Sequence, residues 1–568
     1  MKYLWIALFL FACSEEELDI SGSDGTPEVR EILLRRPPSD GPSQELLGPR
    51  RATLRDAIRQ IEHVAEADGA KGLFLQVGPM GGRWGRVADL GEAIGRVREA
   101  GKPVHCHFEI ADNTAYALMA SSCDRISMTP AGTLNLVGVA AQVFYARNLL
   151  ERVGGEADLL HMGRYKGAGD FLTRTEMPQE ARESLDALLD DFDAQLVAAV
   201  GQRDVNAREV IEAGPHHAEA ARRLGLVDDV GFDDEAREHA RQAGSVDKVR
   251  TIPLVATAEE VDLSDVLAAL SGDEGEETHA EDRLALVHLE GSIRDGETQR
   301  PGDATSGPFV AAMRRLADDD HVKAIVLRID SPGGSALASD RMWHAVRRAS
   351  SRKPVIASIG DVAASGGYYV ASAATHILAH DASIVGSIGV IGGKVSFGSL
   401  ADELGVNAVT LRRGQNAAWG SGLTAFTDSE RVAVEELLRN TYWRFIRRVA
   451  TGRDMERSAV LAAAEGRVMS GRMGRELGLI DEVGGLGEAL RRARSEGGLS
   501  DDASVELWPK RQGLLESLTG GSQVRAEELA WIDMVRSLGP VGEAIVQTPM
   551  LLADEPVAVG LPFVLVLE

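Results

Sequence analysis

The chain has 568 residues, 44% hydrophobic and 26% charged, with 61 glycines and only three cysteines, an ordinary globular composition with material for more than one core. Cys13, Cys106 and Cys123 are too few for a disulfide framework or a four-thiolate zinc site. Lys and Arg number 61 against 87 Asp and Glu, and the resulting net charge of −26 repels phosphate backbones, so nucleic acid is not an expected partner.

The N-terminus reads Met1-Lys2, then ten apolar residues at 3–12, then Cys13-Ser14 and three glutamates. Ten apolar residues are too short for a membrane-spanning helix and suit the core of an export signal. Leu10-Phe11-Ala12-Cys13 resembles a bacterial lipoprotein box, although Phe11 is bulkier than the usual residue there. The resemblance implies cleavage before Cys13, lipidation of Cys13, and a protein exported and anchored on the periplasmic side of a membrane. No later stretch is long and apolar enough to span: residues 547–567 come nearest and are interrupted by Asp554-Glu555-Pro556.

An internal repeat organises the rest of the chain. Residues 71–77 (KGLFLQV) with Gly81-Gly82 recur as 323–329 (KAIVLRI) with Gly333-Gly334, at an offset of 252. After one deletion the offset is 251: Lys102-Pro103-Val104 matches Lys353-Pro354-Val355, Gly138-Val139 matches Gly389-Val390, and Gly154 matches Gly405. Short apolar runs at 324–329 and 355–359 predict buried parallel strands, and the spacing over 308–317 and 336–349 predicts helices. The fold class is therefore α/β, two tandem homologous domains with an additional C-terminal segment. The boundaries are a signal segment at 1–13, a first domain at 14–255, an acidic linker at 256–282, a second domain at 283–510 and a tail at 511–568. The linker contains DEGEETHAED at 273–282, a solvated run.

Three stretches could carry chemistry. Ser331-Pro332-Gly333-Gly334 leaves a buried strand, and paired glycines there can turn N–H groups toward an oxyanion; a plain tight turn is the ordinary alternative. Ala363-Ala364-Ser365-Gly366-Gly367-Tyr368-Tyr369 runs from the strand at 355–359 into a helical stretch at 368–374. A serine there could be an exposed nucleophile with the Gly366 N–H beside its oxyanion, or a small packing or capping residue. Arg164-Tyr165-Lys166-Gly167 holds a lysine that could act as a base if burial kept it neutral; solvation is the usual state of a lysine. Across the repeat, Lys166 corresponds to Ala417, Ser365 to Thr114 and Ser387 to Leu136. Each unit keeps a different part of a dyad, which fits one composite site better than two.

At these residues the chain resembles the long, duplicated form of the signal peptide peptidase A family, membrane-bound serine peptidases of the Clp protease and crotonase-like fold. The match rests on SPGGS at 331–335, AASGGYY at 363–369, GSIGV at 386–390 and RYKGA at 164–168. The resemblance implies Ser365 as nucleophile, Lys166 as general base, Ser387 as the lysine's hydrogen-bond partner, and the N–H groups of Gly366 and Gly333, with Gly334 the alternative, as the oxyanion hole. It implies hydrolysis of signal-peptide remnants and other unfolded apolar peptides, no metal or cofactor, and a homotetramer. Thr114, with Ala115 and Leu136 in place of supporting residues, reads as vestigial. The competing readings are a silent scaffold of the same fold and a crotonase-like acyl-CoA enzyme. His105-Cys106-His107 hints at metal, but neighbouring residues of a strand point to opposite faces, which favours packing.

Overall fold

The computed structural model describes residues 26–42, 52–254, 281–299 and 302–509, and the backbone of 557–559. The signal segment with Cys13, the linker apart from its last two residues, and the tail apart from one short strand lie outside the described residues.

In the first unit β1 (Glu28–Leu34), β2 (Ala70–Val77), β3 (Val104–Asp112) and β4 (Arg125–Asn135) run parallel. Next along the chain come β5 (Glu156–Met162), β6 (His216–His217), β7 (Asp229–Val230) and β8 (Lys248–Ile252). The sheet order is β6-β4-β3-β2-β1-β8, with β7 also on β4, and β5 leaves it.

The second unit repeats the plan with β9 (Arg283–Glu290), β10 (Ser292–Arg294), β11 (Asp303–Thr305), β12 (Val322–Ser331), β13 (Gly334–Ser335) and β14 (Val355–Ala364). They are followed by β15 (His376–Ala379), β16 (Ile384–Gly386), β17 (Val390–Ser396), β18 (Val468–Ser470), β19 (Glu482–Val483), β20 (Val505–Trp508) and β21 (Val557–Val559). Its main sheet runs β18-β16-β14-β12-β9-β20, and a third sheet runs β11-β10-β13-β21-β17-β5. The predicted strands at 324–329 and 355–359 are the centre of β12 and the first half of β14. The predicted helices are observed at Ser306–Asp318 and Ala336–Ser350. The stretch expected to be helical over 368–374 is a helix at Gly366–Ala371, and β14 continues to Ala364, so Ser365 sits at the junction itself.

The two units share a core, and strand alternation shows how. On β9, β12 and β14, Leu284, Leu286, Ala324, Val326 and Ile356 pack with the first unit's Leu90, Ile94 and Tyr116 in one cluster. Their neighbours Ala285, Val287, Ile325, Leu327, Val355 and Ala357 fill a second core with the helices on the other side. Both faces are covered, so these strands read as continuous apolar runs. The first face turns polar toward the C-terminal strand ends. Buried Arg328 donates there to Asp40 Oδ1 (2.8 Å), Asp89 Oδ2 (2.7 Å) and Ser358 Oγ (2.9 Å). The union of the units therefore contains ions as well as apolar surface.

Cys106 on β3 and Cys123, just after the helix Asn113–Ser122, are joined in a disulfide with Cα atoms 6.0 Å apart. From the sequence only Cys13 carries a role; the seventeen-residue separation does not show that the helix folds one cysteine back over the other. His107 is packed as expected, with Nδ1 2.9 Å from Ser127 Oγ and Nε2 3.1 Å from Thr129 Oγ1.

Candidate active site

Ser365 stands between the end of β14 and the helix Gly366–Ala371, with φ 53° and ψ −112°. A non-glycine residue at positive φ is costly, roughly 1–3 kcal/mol, and persists where its surroundings hold it. Here its N–H donates to Gly386 O (2.8 Å) and its C=O accepts from Tyr369 N (2.8 Å). Gly366 is the first helical residue, so its N–H has no partner within the helix and is available to an anion formed at Ser365.

Lys166 comes from the other unit. β5 pairs antiparallel with β17 of the second unit over seven residues, Met162 against Val390 through Glu156 against Ser396. That crossing delivers the Gly163–Lys166 turn to the end of β14. Tyr165 N donates to Glu465 O (2.6 Å) and Arg164 N to Glu465 Oε2 (3.1 Å). Gly466 N donates to Ile388 O (2.9 Å) and Ser387 N to Arg467 O (2.7 Å), so residues 465–467 strap the lysine turn to the Ser387 turn. A Cβ on Gly466, at φ +80°, would stand 2.5 Å from Lys166 N, and one on Gly389 3.1 Å from Lys166 Cδ. Glycine at those two positions is what lets the lysine pass. Neither Glu465 nor Gly466 carries a sequence signal.

The side chain of Lys166 is fully buried. Its Nζ lies 2.8 Å from Ser365 Oγ, 2.8 Å from Ser387 Oγ and 3.0 Å from Ser387 O. Burial pushes the amine well below the ordinary lysine range because a low-polarity surrounding penalises the ammonium form. A neutral amine has two N–H bonds, which the carbonyl and hydroxyl of Ser387 can accept. Its lone pair is then left facing the Ser365 hydroxyl. Ser387 also has positive φ, 53°, and is completely buried.

The structure separates the two glycine candidates opposite Gly366. The Gly333 N–H donates to Ser331 Oγ (3.2 Å), whereas Gly334 N lies 3.2 Å from where a Cβ on Gly366 would stand. Gly333 Cα stands at the same 3.2 Å, so what separates the two is the engaged Gly333 N–H, and Gly334, the alternative read from the sequence, is carried forward as second donor. The backbone of β21 pairs antiparallel with β13 on one side, Val559 with Gly334, and with β17 on the other, Ala558 with Ile391. The groove beside Ser365 therefore accepts an extended strand on both edges.

At the equivalent place in the first unit Thr114 is engaged structurally. Its hydroxyl donates to Asp112 Oδ1 (2.9 Å) and accepts from Gly82 N (3.3 Å), and Leu136, at the position equivalent to Ser387, is buried. The N–H that would face an oxyanion is spent on the threonine.

Behind the site lies a cluster that the sequence did not disclose. Asp330, at the start of the glycine turn, and Asp361, four residues before Ser365, have carboxylate oxygens within 4.8 Å of each other and of Asp40. The first unit's Arg86 lies among them, at 2.6 Å from Asp330, 2.8 Å from Asp40 and 3.0 Å from Asp361, with Arg83 farther out at 3.9 Å from Asp330 and 3.7 Å from Asp361 and Arg328 on Asp40. Asp361 Oδ1 accepts from Gly85 N (2.9 Å), and Asp330 Oδ1 accepts from Val362 N (3.0 Å). Burial and the adjacent Asp330 push the Asp361 carboxyl up to about 7. Arg86 thus pins both strand ends that carry the candidate site.

Two substitutions test the geometry. Gly366→Ala places a Cβ 2.5 Å from Ser339 Oγ and displaces the oxyanion N–H, with an expected loss of about 10²–10³-fold in kcat. Ser387→Ala removes one hydrogen bond to the amine and should cost about 10–10²-fold. Peptide hydrolysis assays with circular dichroism as a folding control measure both, and unchanged kcat in Gly366→Ala would remove Gly366 from the oxyanion hole.

Comparison with known proteins gives a consistent set of relatives. The model of peptidase family S49 matches residues 96–247 and again 347–500, the two halves of the repeat. A relative named "Serine protease SPPA, chloroplastic" from Arabidopsis thaliana is 31% identical over 77% of this chain and 64% of its own length. "Protease 4" of Haemophilus influenzae is 27% identical over 81% of this chain and 75% of its own, and "Protease 4" of Salmonella typhi 27% over 71% and 65%. The chain thus spans about two thirds to three quarters of the relatives' lengths.

Proposed function

The chain belongs to peptidase family S49, and from that membership and the Ser365–Lys166 geometry we propose that it is a serine endopeptidase of the signal peptide peptidase type working through a Ser–Lys dyad. The observation that carries the reading is the buried amine of Lys166 2.8 Å from Ser365 Oγ within one chain. An amine that burial keeps neutral is a base at physiological pH, which a solvated lysine is not.

In the proposed reaction Ser365 Oγ attacks the scissile carbonyl as its proton passes to Lys166 Nζ. The oxyanion is held by the N–H groups of Gly366 and Gly334. Collapse of the adduct needs a proton on the leaving amine, and the new ammonium, costly in its apolar surroundings, supplies it. Lys166 then takes a proton from water, which attacks the acyl-enzyme and frees Ser365. The two-edged groove between β13 and β17 suits a peptide in extended form, read through its main chain. That favours a peptidase over an acyl-CoA enzyme.

The proposed substrates are cleaved signal peptides and other unfolded apolar peptides, met by a homotetramer held at the periplasmic face of a membrane through Cys13. No helix among the described residues is long and apolar enough to cross a membrane. The Cys106–Cys123 disulfide supports an oxidising, exported setting. The test is incubation of the full chain with an apolar signal-peptide sequence and with a polar peptide of equal length. Preferential internal cleavage of the first is expected; equal cleavage, or release of single terminal residues only, would refute it. Radiolabelled fatty acid should mark the wild type and not Cys13→Ser.

A further inference from the structure

One polar contact between the units reaches the strand that carries the nucleophile. At the repeat offset of 252 the first unit's helix Trp84–Glu99 starts where the second unit has the helix Ala336–Ser350. That second helix is capped by its own Ser335, whose side chain accepts from Ala338 N. Ser335 corresponds to Arg83, which makes no side-chain cap bond. The cap comes instead from the other unit: Asp361 Oδ1 on β14 accepts from Gly85 N (2.9 Å) and Arg86 N (3.3 Å). A Cβ on Gly85 would stand 2.4 Å from Gly360 O, so glycine at 85 lets the helix end rest on β14. Across the repeat Asp361 corresponds to Ile110, Asp330 to Gly78 and Arg86 to Ala338. The contact is thus built once, on the strand that leads into Ser365 and not on the one that leads into Thr114.

We propose that Asp361 is a positioning residue for Ser365: as a carboxylate it ties β14 to the first unit's helix and holds the Ser365–Gly366 junction for attack, and on taking up a proton it loosens that tie and slows the reaction. The proposal rests on the serine peptidase reading, since it concerns the rate at which Ser365 acts. Its basis is that a carboxylate at a helix start is a stronger acceptor than a neutral carboxyl, and that the helix end favours negative charge. The second oxygen of Asp361 faces Arg86 Nε (3.0 Å) and Arg83 Nη1 (3.7 Å), so a proton there weakens both ion pairs as well.

The groups around Asp361 set where it titrates. β12 presents Asp330 and the segment before residue 42 presents Asp40, while the helix Trp84–Glu99 and its cap present Arg86 and Arg83. β9 adds Glu290, whose carboxyl burial pushes up, and His288, which burial pushes down to about 4. Arg328 stands one step behind, shared between Asp40 and Asp89, with His380 on Asp89. Burial, then Asp330 and Asp40, outweigh the two nearer arginines and bring the Asp361 ionisation to about 7, inside the range where a peptidase with a neutral lysine base operates.

The test compares full-length wild type with Asp361→Asn in hydrolysis of an apolar peptide from about pH 5.5 to about pH 9. Asparagine keeps the Oδ1 acceptor and removes the charge. The wild-type kcat should exceed the variant's about 10-fold at the alkaline end with KM little changed. The ratio should fall toward one as pH drops below the Asp361 ionisation. Titration of Lys166 is common to both enzymes and cancels in the ratio. Asp361→Glu, which keeps the charge, should recover part of the alkaline rate. A ratio that is constant across the range, as a merely structural residue would give, or a loss carried by KM alone, would overturn the proposal. Hydrogen exchange of wild-type peptides covering residues 361–368, corrected for the intrinsic pH dependence, needs neither variant nor activity. Exchange there should be faster below the Asp361 ionisation than above it, and equal exchange would overturn the proposal too. A wild type that hydrolyses no peptide while its exchange remains pH-sensitive would count against the peptidase reading and for the coupling of Asp361 to β14.

Discussion

Ser365→Ala and Lys166→Met should each lower peptide hydrolysis by at least about 10³-fold, and the double variant should lose little more, since nucleophile and base act as a unit. A Lys166→Met variant that kept a tenth of wild-type activity would end the dyad mechanism. The pH profile adds a second signature. The active form carries neutral Lys166, so kcat/KM should rise with pH through the depressed pKa of the amine and level off well below the range where ordinary lysines titrate, near 10.4. Stability should move the other way in the variant. Wild-type folding strips a proton from Lys166 at any pH between its folded and unfolded pKa values, which costs free energy that grows as pH falls toward the lower one. Lys166→Met escapes that cost. Its melting temperature should exceed the wild type's most at acidic pH, and the gap should narrow as pH approaches 10; a gap that does not change with pH would mean that the lysine is not neutral in the fold.

The largest loss of stability is expected from Arg328→Met. Arg328 is 1% exposed and holds Asp40 and Asp89 of the first unit from β12 of the second. The Arg328 guanidinium, with a hydrogen bond from His380, overcomes burial to hold the Asp89 carboxyl down at about 2. Removing the cation leaves buried carboxylates short of a partner, a change that costs about 3–5 kcal/mol even though a fully apolar replacement of such a network can be neutral. Urea unfolding should show that loss for Arg328→Met. Arg328→Lys should recover only part of it, because an ammonium lacks the planar fork that reaches two carboxylates and Ser358. Asp89→Asn in the Arg328→Met background should regain part of the loss by deleting one uncompensated charge. A loss below about 1 kcal/mol for Arg328→Met would show that the apolar core joins the units without the ions.

Much of the site could be read from the chain because its parts are local. A strand followed by Ser-Pro-Gly-Gly, a second strand followed by Ala-Ala-Ser-Gly-Gly, and their degenerate copies 251 or 252 residues earlier identify the turns at which donors and a nucleophile can be presented. Comparing the halves then assigns the lysine to one unit and the serine to the other. Periodicity likewise locates β12, β14 and the helices that flank them, because strands covered on both faces must be apolar throughout.

The duplicated α/β plan is therefore legible in the chain alone, as are Ser365, Lys166 and Gly366 as candidates, while Ser387 enters only through the family resemblance. Folding in three dimensions was needed to show that Lys166 meets Ser365 of its own chain across 199 positions, that the Gly333 N–H is taken up by Ser331 Oγ, and that residues 465–467 strap the lysine in place. It was needed equally to show that Arg86 bridges Asp330 and Asp361, and that Cys106 bonds Cys123. The physical reason is common to all of these. Hydrophobic period reports which face of an element is buried but not what covers it. A buried ion, a strap or a disulfide depends on partners that only the docking of two separately encoded surfaces brings within reach.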